Sequence, residues 1–385
     1  MSEVAQAIHS SPDGHIPQLR FPEFSGEWMT DELSNLIEIS SNKFNPNTSN
    51  ESKKCIELEH LSQETGELLG YTDSTAQAST KNAFTKGQVL FGKLRPYLKK
   101  FWLSQFDGVC SSEIWVLNGK KLANNYLFQF IQTNKFNQIA NVSSGSKMPR
   151  SDWKYMVQVP FKYTTKPEQQ KIAAFLTAVD NKIEQLSKKQ ELLSEYKKGV
   201  MQQIFSQAIR FKADDGSEFP EWKERRLGDV CSKAKSGGTP RSTTKEYYDG
   251  DIPFLAISDI TRQGKYLTSA SKKISQLGID NSASWIVPID TIIYSMYASV
   301  GFVSINKIPL ATSQAVINLI VKDGYSIEFI YYHLIEVKKT IHKFIETGTQ
   351  GNLNAQTVKS LILNIPSLPE QAKIANFLSS IDNKI

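Results

Sequence analysis

Basic and aromatic side chains are interleaved in one stretch of the first half of the chain, between positions 81 and 100. Lysine and arginine displace counterions from a phosphate backbone, and aromatic or polar side chains reach further into a nucleic acid. The stretch contains no acidic residue, so it favours nucleic-acid binding; a solvated surface hairpin with a few core aromatics is the alternative. Its residues are Lys81, Lys86, Lys93, Arg95, Lys99 and Lys100, with Phe91, Tyr97, Phe101 and Trp102.

A second basic segment, residues 233–245, surrounds the turn Ser236-Gly-Gly-Thr-Pro240 and also lacks acidic residues. Glycine lets a backbone approach phosphates closely, and Thr239 and Arg241 can donate hydrogen bonds to phosphates or base edges. An ordinary turn is the alternative interpretation. Tyr297 and Ser299 lie in a third loop of this half, Tyr297-Ala-Ser-Val-Gly301.

Two polar loops, residues 143–150 and 348–354, carry the donors and acceptors that read base edges in a major groove. A polar connection between a helix and a strand explains the same composition. The candidate DNA-binding residues of these loops are Ser146, Lys147, Arg150, Gln350, Asn352 and Asn354.

The motifs of an autonomous enzyme are missing. The chain has no G-x-x-x-x-G-K-[ST] phosphate loop, no H-E-x-x-H, no G-x-S-x-G elbow and no G-x-G-x-x-G. The five histidines lack metal-ligand spacing, and Cys55, Cys110 and Cys231 form no C-x-x-C pair. We therefore expect no catalytic residue, no metal and no cofactor in this chain.

Composition narrows the class of protein further. At 385 residues the chain is long enough for two or more domains. Its 40% hydrophobic and 22% charged residues are typical of globular proteins. No apolar run is long enough to span a bilayer, and the first 15 residues lack a signal core, so we expect a cytoplasmic protein. The net charge of +6 is compatible with nucleic-acid binding without establishing it.

The loops are positioned by a duplicated helix. Residues 167–183 match residues 369–385 at 12 of 17 positions without a gap, at an offset of 202. Thr165-Lys-Pro-Glu168 and Ser367-Leu-Pro-Glu370 each predict a capping box at the start of the helix. Apolar residues then recur at heptad spacing, which predicts coiled-coil packing. The seam residues are Ile172, Leu176, Val179, Ile183, Leu186 and Leu193 in the first copy, and Ile374, Leu378 and Ile381 in the second.

The repeat predicts two similar halves of one architecture. We expect an N-terminal arm at residues 1–20, domains at 21–164 and 211–366, and spacer helices at 165–210 and 367–385. The second helix stops at Ile385 where its twin continues, so either the chain is truncated or another subunit completes the seam. Within the domains, residues 122–139 and 328–346 are predicted as helices.

Taken together, these features resemble the DNA specificity subunit of type I restriction-modification enzymes over essentially the whole chain. The resemblance rests on the repeated P-E-Q-x-K-I-A-x-F-L…D-N-K-I helices, a Phe-Pro-Glu entry to each half, and the loop motifs. These motifs are Gly92-Lys-Leu-Arg-Pro-Tyr97, Ser111-Ser-Glu113, Ser236-Gly-Gly-Thr-Pro240, Tyr297-Ala-Ser-Val-Gly301 and Thr312-Ser-Gln314.

The resemblance implies an α+β fold with two mixed α/β target-recognition domains joined by long helices that form an antiparallel coiled coil. Each domain would read half of a bipartite target in double-stranded DNA, and the helices would set the spacer and dock two modification subunits. Those subunits carry S-adenosylmethionine, and restriction subunits with ATP and Mg²⁺ complete the complex. An enzyme with an unrecognised nuclease or methyltransferase site, or a structural assembly bridge, are the competing hypotheses.

Overall fold

The computed structural model describes residues 16–49, 51–142, 147–297, 299–344 and 352–385. The chain divides into two compact units, Met1–Gln185 and Leu186–Ile385. The division falls within a single 40-residue helix, α5, Lys166–Phe205, which lies inside the predicted first spacer helix at residues 165–210 and ends before its last residues.

The described residues of the first unit form four short α-helices and the beginning of α5. The helices are α1 Leu33–Leu36, α2 Asn124–Phe130, α3 Asn134–Ala140 and α4 Trp153–Met156. The strands are β1 Met29–Glu32, β2 Ile37–Ile39, β3 Lys43–Phe44, β4 Lys54–Ile56, β5 Thr72–Asp73, β6 Lys81–Phe84, β7 Val89–Gly92, β8 Phe101–Leu103, β9 Gly108–Cys110, β10 Ile114–Gly119 and β11 Pro160–Tyr163. They form sheets of order β1-β11, β2-β10-β7-β8 and β3-β6-β9-β4-β5.

The second unit repeats this plan after the remainder of α5. Its helices are α6 Leu227–Val230, α7 Ile257–Gln263, α8 Gln276–Asp280, α9 Ile327–Val337, α10 Ala355–Ser360 and α11 Leu368–Asp382. Its strands are β12 Lys223–Arg226, β13 Cys231–Ser236, β14 Ile252–Leu255, β15 Tyr266–Leu267, β16 Lys272–Ile274, β17 Ile286–Val287, β18 Ile292–Ser295, β19 Val303–Asn306, β20 Leu310–Thr312, β21 Val316–Val321 and β22 Ile362–Ile365. The sheets have the order β12-β22, β13-β21-β18-β19-β15 and β16-β14-β20-β17.

The central strands of each unit are buried on both faces. Successive side chains of a strand point to opposite faces of the sheet, so each of these strands contributes to two cores. In β7, Val89 and Phe91 belong to the core that includes α2 and α3, whereas Leu90 belongs to the core on the other face. In β18, Ile292 and Tyr294 pack on one side and Ile293 on the other. Burial of these apolar side chains holds the central strands in place, and the loops that follow the strands carry the candidate polar residues.

The P-E-Q repeat anchors each long helix to its own unit. Glu168 is buried and accepts two hydrogen bonds from Arg20, both at 2.7 Å; Glu370 accepts from Arg210 at 3.3 and 3.0 Å. The predicted capping boxes are therefore wrong, because each glutamate pairs with an arginine and Ser367 makes no side-chain cap. The Arg20 guanidinium lowers the pKa of Glu168 below its usual range.

The adjacent glutamine fastens the helix to the element that it packs against. Gln169 accepts a hydrogen bond from the Ala123 backbone N–H at 2.8 Å and donates to the Thr164 carbonyl at 2.7 Å. Its twin, Gln371, accepts from the Ser326 N–H and donates to the Pro366 carbonyl, both at 2.9 Å.

Both predicted inner helices are shorter than expected. The span 122–139 is divided into α2 and α3, because Thr133 begins a new helix and its hydroxyl accepts from the Phe136 N–H. The helix predicted over 328–346 ends at Val337 and continues as a 3-10 helix, Lys338–Phe344; residues 345 and 346 lie outside the described part.

The predicted seam meets three different environments. Ile374, Leu378 and Ile381 are buried in the core of the second unit, beside Val200 and Ile204 of α5. This contact is antiparallel, since Lys197 pairs with Asp382 while Arg210 pairs with Glu370. Ile172, Leu176 and Leu193 are half-buried. Val179, Ile183 and Leu186 are exposed, so the described residues do not cover the middle of the seam.

Candidate nucleic-acid interface

Three loop segments of the first unit are joined by main-chain hydrogen bonds. The Lys93 N–H donates to the Glu113 carbonyl at 3.0 Å, the Arg95 N–H to Pro149 at 2.8 Å, and the Ser151 N–H to Lys93 at 2.9 Å. These segments, residues 93–95, 111–113 and 148–151, are called junction 1. The structure thus brings the predicted Lys93, Arg95 and Arg150 together at the ends of β7 and β10.

Arg150 and Glu113 form the main ion pair of junction 1. The guanidinium donates from Nε to Oε2 at 2.9 Å and from Nη2 to Oε1 at 3.1 Å. This bidentate contact, reinforced by the nearby Lys93 charge, lowers the pKa of Glu113 below its ordinary value of 4.5. Glu113 therefore holds the guanidinium in one plane while Arg150 stays exposed.

The turn after β7 presents two further predicted residues to solvent. Arg95 is exposed, has a left-handed backbone (φ 52°), and makes no side-chain ion pair among the described residues. Tyr97 is 54% exposed. Lys99 also has a left-handed backbone (φ 47°), but its ammonium pairs with Glu64 at 2.7 Å. Lys147 is exposed, and Ser146 lies outside the described residues.

Much of the basic and aromatic stretch serves the fold instead. Lys81 is buried and pairs with Glu57 at 2.6 Å, and Lys100 donates to the Leu58 carbonyl. Phe91 and Trp102 are core residues, as is Phe101. The core aromatics of the hairpin alternative are therefore present, whereas Lys81 is buried rather than solvated. The exposed basic and aromatic residues of the stretch are Lys86 in the turn before β7, and Arg95 and Tyr97 in the turn after it.

Four loop segments converge in the second unit. The Met296 N–H donates to the Ala315 carbonyl at 2.9 Å, and the Leu353 N–H donates to the Met296 carbonyl at 3.0 Å. The Gly238 N–H donates to the Thr312 carbonyl at 2.9 Å. These segments, residues 237–239, 296–297, 312–315 and 352–354, are called junction 2.

The two glycines of junction 2 are required by close packing. A Cβ on Gly237 would lie 1.8 Å from the Thr312 carbonyl oxygen, and one on Gly238 would lie 2.7 Å from the Ala283 backbone. The turn is therefore pressed against the strand ends, as expected of an ordinary structural turn. Beyond it, Thr239 and Arg241 are exposed, and the Thr239 hydroxyl donates to Gln314 Oε1 at 2.7 Å.

The other predicted residues of the second unit differ in their accessibility. Tyr297 is 38% exposed and Asn352 is half-buried. Ser299 is half-buried, and its carbonyl accepts from the Phe302 N–H. Asn354 is exposed, but its side chain caps α10 by accepting from the Thr357 N–H at 2.8 Å, which is a structural role. Gln350 lies outside the described residues.

Sequence reasoning omitted two residues that the geometry makes prominent. Glu113 lies beyond the acid-free stretch, so its pairing with Arg150 was not apparent. Gln314 belongs to the motif Thr312-Ser-Gln314 but was not among the candidate residues. The signal for both was available, because the motifs that contain them occupy corresponding places in the two halves.

Chemistry of other kinds has little support in the described part of the chain. There, no group of three or more histidine, cysteine or acidic side chains could hold a metal ion. Burial raises the pKa of the Cys55 and Cys231 thiols to about 11, so they are poor nucleophiles. Burial also lowers the pKa of His333 to about 3. No described helix has the length and apolar character needed to cross a membrane.

A comparison with protein families matches most of the chain. The family described as the type I restriction modification DNA specificity domain matches twice, at residues 25–194 and 220–385. The two matches correspond to the two halves defined by the repeat.

Individual relatives agree with this result. The specificity subunit of the type I restriction enzyme MjaIX from Methanocaldococcus jannaschii is 32% identical over 187 residues, covering 47% of this chain and 43% of that protein. The chain thus aligns with less than half the length of this relative. The specificity subunit of HindI from Haemophilus influenzae is 24% identical over 378 residues, covering 78% and 81%.

Solved structures show the same fold. The type I restriction-modification S subunit from M. genitalium superposes with a TM-score of 0.61 at 15% identity, covering 96% of this chain and 92% of that one. A chain from a study of complex assembly and conformational transition of the type I restriction-modification system gives a TM-score of 0.53 at 17% identity, with the same coverage.

Proposed function

The chain belongs to the type I restriction modification DNA specificity family, and from this premise we propose that it is the DNA-recognition subunit of a type I restriction-modification complex. Each half reads one part of a bipartite target in double-stranded DNA. The relatives named above are specificity subunits, which supports this assignment.

The duplicated junction is the observation that carries the proposal. Junctions 1 and 2 share two main-chain hydrogen bonds at corresponding positions, yet display different side chains. A common framework with different exposed groups is what two readers of different sequences need. Base contacts specify a sequence, whereas contacts to the phosphates position the protein on it.

The exposed groups divide between these two tasks. Arg95, Arg241 and Lys147 carry positive charges in solvent and are suited to phosphates. Arg150, held in one plane by Glu113, is suited to a bidentate contact with guanine. Tyr97 and Tyr297 present aromatic side chains beside them.

The chemistry of modification and cleavage belongs to partner proteins. Two modification subunits supply S-adenosylmethionine and methylate DNA, and restriction subunits use ATP and Mg²⁺. The exposed apolar residues Val179, Ile183 and Leu186 of α5 offer a surface for helix packing or subunit docking. The helices also set the spacer between the two half-sites, and the assembly works on DNA in the cytoplasm.

The proposal is tested by selecting randomised duplex DNA with the full chain, alone and with its modification subunits, and sequencing the bound fraction. Two short half-sites separated by a spacer of constant length are expected. Arg95→Ala and Arg241→Ala should weaken binding, while Lys188→Ala on α5 removes an equal charge from a residue that belongs to neither junction and should have little effect.

Two outcomes would contradict the proposal. One is the absence of any split motif in the selected DNA, both with and without the modification subunits. The other is methylation or cleavage by the chain alone when DNA is supplied with S-adenosylmethionine or Mg²⁺, because that would make the chain an enzyme.

A further inference from the structure

We infer that Gln314 reads an adenine in the major groove and that Thr239 fixes the orientation of its amide. The inference rests on the proposed function and adds to it one base, one reading residue and one positioning residue in the second half.

The backbone beneath Gln314 is rigidly supported. Gln314 lies at the exposed tip of the connection between β20 and β21, whose flanking residues Thr312 and Val316 are buried. The buried Asn318 amide donates to Thr312 Oγ1 at 2.8 Å and to the Lys235 carbonyl at 3.1 Å. This network ties β13, β20 and β21 together directly below the tip.

Thr239 reaches Gln314 from a turn that is equally constrained. The turn is fastened by the hydrogen bond from the Gly238 N–H to the Thr312 carbonyl, and only glycine fits at position 237. The 2.7 Å hydrogen bond from Thr239 Oγ1 to Gln314 Oε1 therefore joins two fixed segments. It places the amide oxygen on the Thr239 side and the amide nitrogen on the other.

This arrangement leaves Gln314 with the groups that adenine requires. A carbonyl oxygen has two lone pairs, so Oε1 can accept a second hydrogen bond, and no described residue occupies the two donors of Nε2. Glutamine pairs with adenine by accepting from N6 and donating to N7. Because Thr239 already orders the side chain, less rotamer freedom is lost when DNA binds.

The surroundings favour the approach of DNA. The segments 231–245 and 307–322, which contain Thr239 and Gln314, include no acidic residue. Arg241 is exposed, and Lys233 Nζ lies 4.0 Å from the centre of the Trp285 ring. These cations lie in the segments that carry the reader and can contact phosphates beside it.

The corresponding position in the first unit carries a different side chain. Ser112 stands 202 residues before Gln314, next to Glu113, and is exposed. Its hydroxyl is too short to make the bidentate contact of a glutamine. The two half-sites are therefore expected to differ at the base that faces this position.

The test is the same selection from randomised DNA, performed with wild type, Gln314→Ala, Gln314→Glu, Thr239→Val and the matched control Ser112→Ala. Gln314→Ala should reduce the preference for one adenine of one half-site by about tenfold or more. Gln314→Glu should move that preference toward cytosine, whose amino group a carboxylate can accept. Thr239→Val keeps the shape of the side chain and should weaken the same preference about threefold.

The outcomes separate this inference from the proposed function. Suppose that wild type selects a split motif but Gln314→Ala leaves the preference at every position unchanged; the inference is then wrong and the proposed function stands. The same conclusion follows if Gln314→Ala alters only the half-site that Ser112→Ala alters. If wild type selects no split motif, both fail. Gln314 is exposed, so unchanged melting of Gln314→Ala will show that altered selection is not a folding defect.

Discussion

Lys93 donates its backbone N–H to Glu113 in the first half, and Met296 donates to Ala315 in the second, at 3.0 and 2.9 Å. Ser151 then donates back to Lys93, and Leu353 to Met296. These hydrogen bonds need no particular side chain, so they persist while the exposed residues diverge. The exposed side chains of one half can therefore change, and under the proposed function its DNA preference with them, without altering the framework that presents them.

The side chains at the matched positions differ in charge. The first junction carries the Glu113–Arg150 ion pair, and the second carries Ala315 and Asn352 in the corresponding places. At these positions the first half thus presents an ion pair, and the second presents a methyl group and a neutral amide. Under the proposed function, we therefore expect the two halves to bind DNA with different dependence on salt.

The long helices differ in the opposite way, with similar sequence and different surroundings. Asp382 accepts a hydrogen bond from the Tyr332 hydroxyl at 2.5 Å and pairs with Lys197. Its twin, Asp180, is exposed and makes no such contact among the described residues. In the first unit, an open apolar groove of about 340 Å³ lies beside the helix, lined in part by Trp28 and Leu176.

The largest loss of stability is expected at the buried glutamates Glu168 and Glu370, which both halves share together with an arginine partner. Each glutamate is buried and accepts two hydrogen bonds from its arginine, so Glu370→Gln and Glu168→Gln should each destabilise their own unit strongly. Hydrogen exchange in peptides of each half measures this. A strong effect in one half only would show that the anchors are not equivalent.

Acid provides an internal control for Glu168. Its pKa in the folded chain is below the ordinary 4.5, so the stabilisation is fully present above pH 4.5 and disappears as the pH falls through the lowered value. The difference between wild type and Glu168→Gln should therefore shrink below pH 4.5. A difference that grows with acid would contradict the assigned pairing.

The repeat shows how much the sequence could predict. The duplication, the approximate position of α5 and the apolar face of α11 followed from the repeat and its heptad spacing. The capping boxes failed because a local pattern cannot reveal Arg20, 148 residues away from Glu168. For the same reason the sequence could not predict the Glu113–Arg150 and Glu57–Lys81 ion pairs, since both depend on which segments are neighbours in the fold.

A smaller loss of stability is expected at a leucine that both halves contain but that lies in a different environment in each. Leu378 is fully buried, and its twin Leu176 is half-buried. Leu378→Ala should cost about 3 kcal/mol, because the cavity adds to the lost burial, and Leu176→Ala about 1 kcal/mol. Urea titrations followed by exchange in each half provide the measurement. Equal costs would mean that the groove beside Leu176 is filled in solution.

The smallest effect on stability, and the clearest on binding, is expected at Arg150 and Asn352. Exposed ion pairs contribute less than about 1 kcal/mol, so Arg150→Ala should leave the fold almost unchanged. Arg150 is proposed to contact guanine, so Arg150→Ala should weaken binding and relax the preference for that guanine. Because the substitution also removes a positive charge beside the DNA, the slope of affinity against salt should fall. Asn352→Ala removes no charge and should leave that slope unchanged. The measurement is the affinity of each variant for the selected duplex over a series of salt concentrations. Identical slopes of affinity against salt for the two variants would contradict a difference in charge between the two halves.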